Sequence, residues 1–205
     1  IKAAAVPAGN PSPYTPLNAR NLAIGQVQVG LGASFMTIGI GVDGHSGSGN
    51  LDGHGNTYSA SALGSSLAWG GATFALGAGN TKNVISAAGQ TIALPAGPFG
   101  AIALLGSSVF GPQAGTFVVT YTDGTKASFT LTLSDWTGGY VGRGTTAPGE
   151  SVAATTPYTD QSDGGTYREP AYVYGYTLPI AQGKTVRSIT LPNNGKIKIL
   201  AMDLI

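Results

Sequence analysis

The feature that most constrains this chain is a pair of alternating segments inside residues 101–136. Phe117, Val119 and Tyr121 alternate with Val118 and Thr120, and Phe129, Leu131 and Leu133 alternate with Thr130 and Thr132. A period of two puts one set of side chains on one face, so each segment reads as a strand with one buried side. Asp123-Gly124 between them predicts a tight hairpin turn whose two central residues both take positive φ. Residues 101–110 read as a further apolar strand, joined to the hairpin through the breaker-rich Gly111-Pro112-Gln113-Ala114-Gly115.

The rest of the chain agrees with a β architecture. It has 205 residues, enough for one domain with a real core, and 33 of them are glycine while only 9% are charged. Long surface helices need a charged wet face, which this composition does not supply. The net charge of +1 comes from scattered residues with no basic run, which argues against a nucleic-acid partner. No cysteine is present, so disulfides and thiolate metal sites are excluded. No apolar run reaches the roughly 18 residues of a membrane span. Low charge with abundant Ser, Thr and Gly points to a secreted or periplasmic bacterial domain.

In chain order, residues 1–16 hold four of the twelve prolines and read as an extended arm or linker, leaving 17–205 as one domain. Strands are expected over 24–30 and 34–42, then a polar loop over 43–56. A short helix is expected over 58–67, capped by Ser59 or Ser61. Further strands follow over 69–76 and 83–94. Residues 138–168 show no sustained periodicity and read as one long functional or mobile loop. An aromatic strand then carries Tyr172, Tyr174 and Tyr176, followed by strands over 186–191 and 197–205. About ten strands without a βαβ rhythm predict an all-β fold, a two-sheet antiparallel β-sandwich.

Five blocks carry a family resemblance. They are N-L-D-G-H-G-N-T-Y-S-A-S-A-L from Asn50, N-V-I-S-A-A-G-Q-T-I-A-L-P from Asn83, V-T-Y-T-D-G-T from Val119, F-T-L-T-L-S-D-W from Phe129, and the closing S-I-T-L-P…I-L-A-M-D-L. The first resembles an F-D-G-x-G-x-S-Y-S-A-x-A-L signature. Together, over residues 38–205, they resemble a β-sandwich accessory domain attached to secreted bacterial glycoside hydrolases. The resemblance implies a galactose-binding-like jelly roll in a carbohydrate-linked setting. Two departures stand out: Leu51 replaces the Phe of F-D-G, and Val42-Asp43-Gly44-His45-Ser46 replaces the family's acidic D-D-S-D-like run.

Two sets of residues are candidates for chemistry. The doubled Asp-Gly-His at 43–45 and 52–54 offers Asp43, His45, Asn50 and Asp52 as ligands for a divalent ion, calcium being the expected one; the same Asp-Gly steps also read as simple turns. Around the 138–168 loop, Trp136, Tyr140, Tyr158 and Tyr167 are rings on which the apolar face of a sugar can stack, although Trp136 also reads as a core residue at a strand end. Asp135, Arg143 and Arg168 would supply directional hydrogen bonds to the hydroxyls.

Catalysis is not expected. Glu150, Glu169, Asp160 and Asp163 share the loop region without a spacing signature for paired carboxylates, and the sequence has no G-x-S-x-G or H-E-x-x-H. The expected function is a noncatalytic domain that holds a glycan or polysaccharide near a partner enzyme or a catalytic domain of the same parent protein. The alternative is a structural spacer or docking module with no ligand.

Overall fold

A computed structural model describes residues 25–45 and 47–205, so the expected arm at 1–16 lies outside the described residues. The strands in chain order are β1 Val27–Gln28, β2 Ile40–Gly41, β3 Asn56–Ser59, β4 Ser66–Trp69, β5 Ala72–Ala75, β6 Ile85–Ala88, β7 Thr91–Ala93 and β8 Ala101–Ser108. There follow β9 Gln113–Tyr121, β10 Lys126–Leu133, β11 Glu150–Thr156, β12 Thr159–Gln161, β13 Thr166–Tyr167, β14 Ala171–Pro179, β15 Val186–Thr190 and β16 Asn193–Leu204. One helical turn, α1 Ala60–Leu63, separates β3 from β4.

The hairpin read from the sequence is β9–β10, in register from Lys126 opposite Thr120 to Leu133 opposite Gln113. Phe117, Val119 and Tyr121 are buried as the alternation requires. The turn differs from the expected one. Only Gly124 has positive φ, at 84°; its N–H donates to the Tyr121 carbonyl at 3.0 Å, and Asp123 stays on the ordinary side. This is a type I turn followed by a left-handed glycine, a longer loop than the two-residue mirror turn. The mirror turn occurs instead between β4 and β5, where Gly70 and Gly71 both take positive φ and split the strand expected over 69–76 into a hairpin.

Two sheets make the expected β-sandwich. One runs β1-β16-β8-β14-β11, with β6 also paired to β16, and the other runs β10-β9-β15-β7. Ile102, Leu104 and Met202 of the first pack with Phe117, Val119 and Ile189 of the second. All eight residues of β8 are buried, because its opposite face is covered too: Ala103 and Leu105 meet Tyr58, Phe74 and Trp136. A bulge in β16 between Ile199 and Ala201 allows Ile199 and Met202 to face one core while Leu200 and Ala201 face the other. The cover on that second face comes from the β4–β5 hairpin and a small sheet ordered β13-β12-β3-β2.

Three expected elements change. The 34–42 strand shrinks to β2, and a 3₁₀ turn occupies Gly32–Ser34. The helix keeps only four residues, capped as expected by Ser59, whose Oγ accepts the Ala62 N–H at 3.0 Å. The supposed loop over 138–168 contains β11, β12 and β13. Its strands are rich in Ala, Ser and Thr, so they carry little hydrophobic signal; β11 is ordered by pairing along β14, from Glu150 opposite Tyr176 to Thr156 opposite Ala171.

Asp203 of β16 is fully buried, and its Oδ1 has no partner among the described residues, while Gln26 donates to Oδ2. Burial raises its pKa, partly opposed by that hydrogen bond. A raised carboxyl favours the native state below the unfolded value of about 3.9 and weakens it as pH climbs through the folded value. Relative to the native protein, Asp203→Asn should therefore gain stability as pH rises above about 4. Urea unfolding of both proteins across that range checks this; parallel curves would exclude it.

Candidate functional site

The small sheet brings together the two regions that the sequence presents as separate sites. β12 pairs with β3, Asp160 lying opposite Thr57 and Thr159 opposite Tyr58. Directly opposed and i, i+2 residues share a face, so Thr57, Ser59, Tyr158 and Asp160 line one side of this sheet, and Thr166 of β13 continues it, with Arg168 just past the strand. Asp43 lies over that side. Tyr158 Oη donates to Asp43 Oδ2 at 2.6 Å and Ser59 Oγ donates to Asp43 Oδ1 at 2.7 Å. The Ser162 N–H donates to the Gly55 carbonyl at 2.8 Å, and a Cβ on Gly164 would stand 2.9 Å from the Gly44 oxygen, so the two loops are in close contact.

The electrostatics of this cluster are asymmetric. Burial alone would raise Asp43, but hydrogen bonds from Tyr158, Ser59 and Ser61 outweigh it and hold its carboxyl at about 2. Asp160 has 0% exposure; burial first, and then the neighbouring Asp43 carboxylate, push it up to about 7. Neither Asp160 oxygen has a hydrogen-bond partner among the described residues, nor does the Thr57 hydroxyl. Outside Tyr158 the same face opens into a groove of about 620 Å³ lined by Pro157, Tyr158, Thr166 and Arg168.

Of the residues expected to hold a metal, only Asp43 reaches this cluster. Asp52 is bound within its own turn, accepting the His54 and Asn56 N–H groups on Oδ1 and the Asn56 amide on Oδ2. Asn50 Oδ1 accepts the Gly55 N–H at 2.9 Å, and His45 is exposed. Among the described residues no three histidine or carboxylate side chains converge on one point. Asp52 thus closes its own turn through these local hydrogen bonds.

The expected sugar-contacting set also divides. Trp136 is 4% exposed, its ring edge-on to Tyr58 at 5.1 Å in the second core, which leaves it no free face for a ligand. Asp135 is occupied by backbone: Oδ1 accepts the Thr137 and Gly138 N–H groups, and Oδ2 accepts that of Gly111. Arg143 pairs with Glu169 at the surface, a contact worth at most about 1 kcal/mol. Tyr140 and Tyr167 are exposed. Tyr167 lies opposite Thr159 in the ladder, so its ring leaves the sheet on the side away from Tyr158 and Arg168. Only Tyr158 and Arg168 of the set share the groove. Asp160, Thr57 and Ser59 carried no ligand signal in the sequence, because Tyr158 and Asp43 stand 115 positions apart.

The fold and this site define a β-sandwich domain whose loops meet over a small additional sheet. The chain belongs to the AziU2-like beta-sandwich domain family, which residues 25–205 match. No curated protein matches the chain. Among the described residues no helix is long and apolar enough to cross a membrane.

Proposed function

We propose that this chain is a noncatalytic glycan-binding domain of an exported bacterial protein, holding polysaccharide near a partner catalytic domain. The observation that carries this reading is the open groove beside Tyr158. It combines an aromatic wall for the C–H face of a pyranose with the Arg168 guanidinium and Thr166 hydroxyl for its oxygens. The five sequence blocks that resemble hydrolase accessory domains point the same way. The noncatalytic part rests on the carboxyl groups. The close pair is Asp43 and Asp160, and with Asp160 fully buried no glycosidic bond can enter between them. Glu150 accepts from the Ser134 and Ala147 N–H groups and the Tyr176 hydroxyl, which makes it a clamp on its loop.

Reproducible binding of the isolated domain to one sugar family on a glycan array is the expected result. Arg168→Ala should then weaken that binding about tenfold or more, since hydrogen bonds to a charged group contribute about 1.5–3 kcal/mol. A blank array would overturn the reading in favour of an interdomain docking module. One observation favours that second reading: Phe110 is 54% exposed and held at φ 61°, an unfavourable backbone for an aromatic residue, with its ring presented at the surface.

A further inference from the structure

The unpartnered groups under the 43–56 loop carry an inference that does not depend on any sugar. Thr57 and Asp160 are cross-strand partners with 0% exposure, so the Thr57 hydroxyl and the Asp160 carboxyl stand on one face with neither bonded among the described residues. Leaving a buried hydroxyl and carboxyl without partners is costly, and native proteins rarely do so without a reason such as a bound ion. The Asp43 carboxylate is placed over the same face by Ser59 and Tyr158.

The geometry points to a divalent-cation site of the calcium class formed by Asp43, Asp160, Thr57 and Ser59, on the side of the small sheet away from the second core. Two carboxylates and two hydroxyls offer six oxygens, the number at which Ca²⁺ coordination begins, and nearby carbonyls can extend it. All the donors are hard oxygens. Imidazole and thiolate are absent from the set, which disfavours zinc and copper. The site is built from both halves of the chain, β3 with its preceding loop and β12. A bound ion would lock the 43–56 loop to the β12–β13 hairpin and so support the groove beside Tyr158. The residue set differs from the His45, Asn50 and Asp52 ligands that the sequence motif suggested, and only Asp43 is common to both.

The test uses the full chain stripped of metal with a chelator, at neutral pH and without sugar. Tb³⁺ serves as probe, because Tyr158 lies beside the site and can sensitise its emission, and Ca²⁺ serves as competitor. Saturable sensitised emission displaced by Ca²⁺ is expected. Asp160→Asn and Asp43→Asn should each abolish it, and Thr57→Val should weaken it about tenfold. Calorimetry with Ca²⁺ gives a second readout that does not depend on Tyr158. If a variant fails to fold, the native-protein titration alone decides. Absence of saturable binding to the native protein by both methods at millimolar Ca²⁺ would overturn the site. In that case Asp160 holds a proton shared with Asp43, and Asp160→Asn should be at least as stable as the native protein.

Discussion

Asn83→Ala should lower stability by about 3 kcal/mol or more, with the guanidinium midpoint falling and the slope unchanged. Asn83 is fully buried, and its short side chain closes four backbone bonds. Oδ1 accepts the N–H groups of Gly39 at 2.8 Å and Ile40 at 3.1 Å, while Nδ2 donates to the carbonyls of Ile40 and Ala78, both at 2.9 Å. Alanine would leave those groups buried with nothing in exchange, and each unsatisfied group costs about 1–3 kcal/mol, though not additively. Asn83→Asp should do no better, because a carboxylate cannot donate to two carbonyls. Ile40 belongs to β2, which leads into the Asp43 loop, so the variant should lose any cation and glycan binding together with stability. A midpoint within error of the native protein would refute the clamp.

Trp136→Ala is the second large effect, expected at about 3–5 kcal/mol. Its indole fills the second core against Tyr58, whose hydroxyl donates to the Tyr172 carbonyl at 2.7 Å and accepts from the Ser107 hydroxyl at 3.0 Å. Burial also raises the Tyr58 hydroxyl pKa well above its ordinary value, so that phenol stays protonated and donating. Removing the indole opens a cavity beside a ring that cannot shift without breaking both bonds. Trp136→Phe should recover part of the loss, since it keeps an aromatic partner for Tyr58. A sugar platform would behave in the opposite way, losing ligand with stability unchanged. Thermal unfolding of both variants beside the glycan array separates the two roles.

Much of this architecture was legible before any tertiary contact was known. The β9–β10 hairpin follows from its alternation, and the Ser59 cap from a serine at the start of a short helical run. Even the continuous apolar run of β8 marks a strand buried on both sides. The misread parts share a cause. β11 and β12 are mostly Thr, Ser, Ala and polar residues, and their strand character comes from their neighbours β14 and β3. For Trp136 the sequence offers both a ligand platform and a core residue at a strand end, and only the tertiary structure decides for the core. The burial of Trp136 depends on Tyr58, some eighty positions earlier.

Periodicity, glycine content and turn residues determined the β-sandwich, because they act over a few neighbouring residues and sum along the chain. The site was decided by tertiary structure alone. Asp43 belongs to a motif that the sequence marks and Asp160 to a polar stretch, but nothing local marks the two as a pair. They become neighbours only when β12 adds to β3, and it is the burial imposed by that pairing that leaves Asp160 and Thr57 in need of a partner.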